Sequence, residues 1–297
     1  MTMDAGATAI ASPSPTRSAS ATFFRRLRRK PTAIAGLVII VLVIASAVFA
    51  PWLTPHNPAR MAPRIALQPP NLEGNILGTD HFGRDQLTRL LHGGRVSLRV
   101  GLIAVAIAAS FGMLLGALAG FFGGWIDEGI SRLVDIMLAF PGILLALGVI
   151  TVLGPGLTNV MIALGISGIP GFARLTRGLV LSTRNLDYVV AARALGSSNV
   201  RQIMKHIFPN VWAPISVYAT LEIAVFILAS AALNYLGLGA EPPTPEWGLM
   251  LAESREYIRR AWWLATFPGI AIMITVVGIN LLGDGLRDVL DPYIQGR

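Results

Sequence analysis

The sequence predicts an all-α integral membrane protein with six transmembrane helices, and three observations carry that prediction. Hydrophobic residues make up 54% of the chain and the mean hydropathy is +0.63. Charged residues make up only 13%, against about 25% in an ordinary soluble domain. The apolar residues are gathered into six long runs, separated by polar or Gly/Pro-rich joints, as bilayer-crossing helices require.

Composition also excludes several chemistries. The net charge of +8 comes from arginines at the ends of apolar runs, where membrane topology places them. Lipid, not nucleic acid, is the partner this implies. There are no cysteines and only four scattered histidines, so no metal site or thiol nucleophile is expected. The two lysines, Lys30 and Lys205, stand in no G-x-x-x-x-G-K-[ST] pattern, so the chain is not itself an ATPase. Neither a catalytic residue nor a bound cofactor is expected.

Residues 1–30 form a basic tail, rich in Ala, Ser, Thr and Pro to residue 22 and expected to be disordered there. Five cations follow in the six residues Arg25 to Lys30. Residues 33–50 are the first span. Val48-Phe49-Ala50 resembles a signal-cleavage site, but Pro51 opposes cleavage and the run is long for a signal peptide. A retained anchor is expected. Residues 31–96 thus comprise an N-terminal helix and an extracytoplasmic connection. In that connection Gly78 and Gly83 suit tight turns, Asp80 and Asp85 can cap or pair with arginines, and 85–99 suits an interfacial amphipathic helix.

Residues 97–297 form the core. The second span, 98–122, carries Gly112, Gly116 and Gly120 at four-residue spacing, a face for close helix packing. The third, 130–153, holds Asp135 and a kink at Phe140-Pro141-Gly142. The fourth, 157–173, is interrupted by Gly168, Pro170 and Gly171. The fifth, 213–236, carries Glu222 and Asn234. A Pro-rich turn then leads to an amphipathic helix near 247–260. The sixth, 264–283, carries Asn280. With the N-terminus inside, fifteen cations fall on the cytoplasmic side and nine outside, so both termini are expected in the cytosol.

That orientation places a polar island, residues 185–210, in the cytosol. It reads as two short helices: Asp187 to Leu195, a stop at Gly196 and two serines, then Asn199 to Phe208, ended by Pro209. A basic helix–break–helix between two spans suits a docking surface; it equally suits an ordinary basic cytoplasmic loop.

Within the island, Ala191-Ala192, then Gly196 four residues on, then Pro209 thirteen further, resembles the EAA loop of ABC-importer permeases. Val190 stands where that family has Glu, and Asp187 lies three residues earlier. The resemblance implies a coupling helix seated in a cytoplasmic ATPase subunit, carried by Tyr188, Val190, Ala191, Ala192, Arg193, Gly196, Arg201 and Pro209. Three further stretches are similar to the "C" permeases of dipeptide and oligopeptide importers: LGTDHFGRD from Leu77, LNYLGLGAEPPTPEWGLMLAESR from Leu233, and LLGDGLRDVLDP from Leu281. The resemblance implies the type I importer fold, five core helices plus an N-terminal one. It implies a second homologous permease, two ATPases binding ATP-Mg, and an extracytoplasmic solute-binding protein. The solute could be a di- or oligopeptide, glutathione or a nickel chelate.

Asp135, Glu222, Asn234 and Asn280 are polar groups at membrane depth and therefore candidates for the translocation path. Each also has a bland reading: Asp135 paired with Arg132 near the interface, Glu222 in an interhelical hydrogen bond, the asparagines bridging helices. An ion-coupled secondary transporter would need a dedicated ion site and a repeat of spans, and neither is evident.

Overall fold

The structure, a computed structural model, describes residues 30–54, 56–71 and 74–290. The disorder expected over 1–22 lies outside them. Helix α1 is Pro31–Val48, α2 Gln86–Phe122, α3 Gly124–Leu138, α4 Gly142–Leu153 and α5 Leu157–Thr183. Helix α6 is Asp187–Ala194, α7 Phe208–Tyr235, α8 Trp247–Ser254 and α9 Trp263–Leu290. Among the described residues four helical stretches are long and apolar enough to cross a membrane: Pro31–Val48, Gln86–Phe122, Asn199–Tyr235 and Trp263–Leu290.

The expected third span is a broken one. Helices α3 and α4 meet at 93° around Phe140–Pro141, a bend instead of a kink. Counted as one, the pair brings the apolar spans to five. Helix α5 has the length to cross, at 27 residues. Ser167, Pro170, Arg174 and Arg177 within it lower its hydropathy. The second span and the amphipathic segment expected over 85–99 are one unbroken helix, α2, so the boundary drawn at 96/97 falls inside it. Asp85 caps α2 by accepting from the Thr88 N–H at 2.8 Å.

The core is built on α2 against α5, with α7 and α4 packed around them. The glycine spacing makes this possible. A Cβ on Gly112 would lie 2.7 Å from the Ile169 carbonyl oxygen, and one on Gly120 2.9 Å from that of Arg177. On Gly116 it would meet the Ala173 backbone and, at 2.7 Å, the Thr176 Cβ. The two backbones therefore touch, and dispersion between them replaces the hydrophobic drive that lipid removes. Gly116→Leu should cost roughly 1–3 kcal/mol by overpacking, read as a lower melting temperature of the detergent-purified chain.

Helix α1 lies against α9 through a second small-residue contact. A Cβ on Gly36 would sit 2.8 Å from the Gly278 carbonyl, and Gly285 faces Ala33. Lys30 and Asp288 close this pair at one end with a 2.8 Å ion pair. At the other end Arg95 of α2 donates to the Ala47 carbonyl at 2.6 Å and to that of Val48, capping the C-terminus of α1. Exposed tryptophans mark two levels: Trp52 and Trp262 beside the long connections, Trp125 and Trp212 beside the 185–210 loop. Aromatic residues at both interfaces fit a chain that crosses between them.

The connection 56–85 is folded onto α8 and the start of α9. Trp263 Nε1 donates to the Thr79 carbonyl at 3.1 Å, and Trp247 Nε1 to that of Leu90 at 2.9 Å. Beneath them lies a charge cluster. Arg84 Nε donates to Asp80 Oδ2 at 2.5 Å and Arg84 Nη2 to Glu253 Oε2 at 3.0 Å. Arg89 Nη2 reaches the same Glu253 oxygen at 2.8 Å. Both arginine side chains are almost wholly buried. The pairing expected for Asp80 is thus present, with a second acid from far along the chain. Helix α8 is buried at the consecutive residues Trp247, Gly248, Leu249 and Met250 and ends at Ser254, short of the amphipathic helix expected near 247–260.

His81 stacks on Tyr257 with ring centroids 5.0 Å apart. Burial holds its imidazole below the ordinary 6.5, against the opposing pull of Asp80 and Glu253. A folded-state value below the unfolded one favours the fold above about pH 6.5, and that contribution is lost as the pH falls. Melting temperatures should therefore drop between about pH 7 and pH 5, and His81→Phe, which keeps the stack, should drop less.

Candidate docking loop and membrane-depth trough

The 185–210 loop is a framed structure. Gly196 breaks it with φ +81°, the left-handed region that L side chains rarely adopt. No atom lies within 4 Å of where a Cβ would stand, so the backbone angle and not space demands glycine. The Ser197 N–H returns to the Ala192 carbonyl at 3.0 Å, closing the C-terminus of α6. Gln202, buried, ties the two arms: its amide donates to the Ser197 carbonyl at 2.7 Å and accepts from Arg193 Nε at 3.3 Å. Tyr188 donates to the His206 carbonyl at 3.2 Å and accepts from Asn210 at 2.9 Å. Val189 is fully buried and anchors α6 to the core.

The second arm differs from expectation. It does not end at Pro209. Residues Gln202–Ile207 form a wide π-type turn and the chain continues directly into α7, with Pro209 in its first turn. Proline has no N–H to donate to the preceding turn, and the wide π-type turn stands immediately before it. The arm is therefore rigidly joined to a spanning helix.

The frame exposes large apolar side chains among cations. Leu195, Val200, Met204 and Val190 are all exposed, Leu195 at 89%. Ala191, Arg193 and Arg201 are exposed beside them, and Ala192 is half-buried. Val190 fits this apolar set.

A second feature lies at membrane depth. Ser167, Pro170/Gly171, Arg174 and Arg177 recur at three- and four-residue spacing on α5, so they share one face. Along that face run two cavities. The first, about 360 Å3, is bordered by Leu138, Ser167, Gly171, Tyr218, Glu222 and Phe226. The second, about 300 Å3, is bordered by Ser131, Asp135, Arg174 and Arg177. Asp135 pairs with Arg174 at 2.7 Å, not with Arg132, which pairs with Glu128. Arg177 grips Asp127 with two bonds, at 2.5 and 2.8 Å. Glu222 has Tyr218 one turn earlier on its own helix, and both border the first cavity.

The asparagines are elsewhere. Asn234 is fully buried; it donates to the Ser230 carbonyl at 2.9 Å and accepts from the Ala240 N–H at 2.5 Å, shaping the turn after α7. Asn280 is exposed on α9. Asp127, Arg174, Arg177 and Tyr218 were not singled out from the sequence, although the three- and four-residue spacing on α5 was a signal for two of them, Arg174 and Arg177. Among the described residues no group of three or more His, Asp or Glu could hold a metal ion.

Comparison with known proteins accords with this architecture. Residues 112–296 match the model of the binding-protein-dependent transport system inner membrane component family, and residues 18–70 that of the N-terminal TM domain of oligopeptide transport permease C. The chain is 50% identical to a dipeptide transport system permease protein DppC of Alkalihalophilus pseudofirmus, over 92% of this chain and 89% of that one. It is 46% identical to a di/tripeptide transport system permease protein DppC of Pseudomonas aeruginosa, over 95% and 94%. It is 45% identical to the dipeptide permease DppC of Escherichia coli K12, over 92% and 93%. Among solved structures, an inward-facing MetNI methionine ABC transporter chain superposes with a TM-score of 0.56 at 20% identity, over 67% of this chain and 95% of that one. That last likeness concerns the fold alone, the type I importer permease fold. Architecture, family models and relatives agree: the chain belongs to the binding-protein-dependent transport system inner membrane components, on the branch that carries the N-terminal helix of oligopeptide permease C.

Proposed function

We propose that this chain is one of two membrane subunits of an ATP-driven importer of peptides of the dipeptide class. It forms the translocation path with a second homologous permease. It couples through the 185–210 loop to two cytoplasmic ATPase subunits, which bind ATP-Mg, and it receives solute outside from a binding protein. Both termini lie in the cytosol.

The observation that carries this reading is the framed loop with its exposed Leu195, Val200 and Met204. An apolar patch on a polar cytoplasmic loop is unfavourable unless a partner covers it. A knob locked to α7 through the 202–207 turn can pass a rotation of its partner to the spans as rigid-body motion. The names of the relatives favour a peptide over glutathione or a nickel chelate. On this reading the chain breaks no covalent bond.

Co-purification tests the reading. The tagged chain, expressed with candidate permease and ATPases, should bring the ATPases down. The same chain with residues 187–200 replaced by a Gly/Ser linker should not. Stable transport with no ATPase present would overturn the proposal and favour an ion-coupled carrier.

A further inference from the structure

Glu222 stands near the middle of α7, at membrane depth, half-buried and bordering the 360 Å3 cavity. A carboxylate there is costly unless something compensates it. The two other acids along the trough, Asp135 and Asp127, are each matched by an arginine. Glu222 is not. Among the described residues it makes no ion pair, and no cation borders its cavity, where Tyr218 is its polar neighbour one turn earlier on the same helix. The first cation inward along the same face of α5 is Arg174, already paired with Asp135.

The cavity is built to keep this carboxylate accessible. Gly171 gives the Tyr218 hydroxyl its space: any Cβ at that position would collide with it. The Tyr218 ring is held edge-on to Phe172 at 4.7 Å. Three residues that carry acceptor oxygens border the cavity: Glu222, Tyr218 and Ser167, whose hydroxyl proton goes to the Leu164 carbonyl at 2.8 Å. The remaining wall is apolar, with Leu138, Val225 and Phe226. The volume falls within the roughly 300–1,000 Å3 of small-molecule sites.

We infer that Glu222, with Tyr218 and Ser167, is a subsite for a primary ammonium group, filled in transport by the α-ammonium of a peptide. An –NH3+ carries three donors and no acceptor, and this site offers several acceptors and no free charged donor. One carboxylate with two hydroxyl groups is too few ligands for a dehydrated divalent cation. The apolar wall beside it accommodates a first side chain of any small apolar type. The identification of the amine as a peptide's rests on the importer reading above; the ammonium chemistry of the site does not.

The test uses the assembled permease pair with its ATPases in lipid nanodiscs, with neither binding protein nor ATP. Binding of each probe to the wild-type and Glu222→Gln complexes is followed by isothermal titration calorimetry. Dialanine and n-butylamine should each bind the wild type several-fold more tightly than the variant, and N-acetyl-dialanine should not. Equal binding of dialanine and N-acetyl-dialanine to the wild type would overturn ammonium recognition. So would binding of none of the three. If Glu222→Gln also released the second permease from the complex in that case, the carboxylate would be assigned to a subunit contact instead.

A second arm measures ATP-driven dialanine uptake in proteoliposomes supplied with binding protein. Loss of one charge-assisted hydrogen bond predicts about a tenfold or greater fall in uptake for Glu222→Gln. Glu222→Asp, which keeps the charge, should retain more. Unchanged uptake by Glu222→Gln would sink the inference while leaving the importer reading intact. Glu222-dependent binding of both amines with no dialanine uptake by the wild type would do the reverse.

Discussion

Gly196→Val should abolish solute uptake while leaving the chain inserted and of normal abundance. The glycine sits at φ +81°, where a β-branched residue cannot follow without strain of about 1–2 kcal/mol or more. The loop would relieve that strain by moving, because no packing holds the Gly196 position. Relief would break the Ser197-to-Ala192 bond and the Gln202 tie between the arms. The spanning helices, packed elsewhere, would be untouched. Ala192→Asp should give the same result by another route, setting an unpaired charge on the loop's docking side. The check is paired: membrane abundance by immunoblot, and uptake with ATPase co-purification. Normal uptake by both variants would remove the loop from the coupling role.

Glu253→Gln should destabilise the chain by roughly 3–5 kcal/mol, the usual cost of taking one partner from a buried ion cluster. Arg84 and Arg89 are both buried and share the Glu253 carboxylate; Asp80 alone would then face two guanidinium groups. Adding Arg84→Met to Glu253→Gln should recover part of the loss, since it removes the charge left unpaired. Thermal unfolding of the purified chain measures both. A double variant as poor as the sum of the singles would show that the groups do not act as one cluster. The consequence reaches beyond stability on the proposed importer reading, because this cluster holds the connection at Asp80 and Arg84 to Glu253 of α8, on the face that reading assigns to a delivering protein.

The sequence by itself determined whatever depends on neighbours along the chain. Apolar run length set the positions of α1, α2, α7 and α9. The four-residue spacing of Gly112, Gly116 and Gly120 announced a close helix contact, which α5 makes. Gly196 between two helix-forming stretches placed the loop break, and its φ agrees. Local signals of this kind survive because helix geometry is periodic and a left-handed angle has few residues to choose from.

Only the tertiary structure decided what meets across the chain. Asp80 and Arg84 were legible as a turn, but Glu253 joins them over a separation of 169 residues. Asp135 was a path candidate with an Arg132 pair as its bland alternative, and the packing of α3 against α5 gave it Arg174 as partner. Pro141 signalled a disturbance, yet its 93° depends on what α3 and α4 each pack against. Pro209 looked like a terminator until the π-type turn before it carried the helix through. Glu222 and Asn234 looked alike as polar residues in one span. One caps a buried turn and the other borders a cavity, because facing direction on a helix has meaning only once its neighbours are in place.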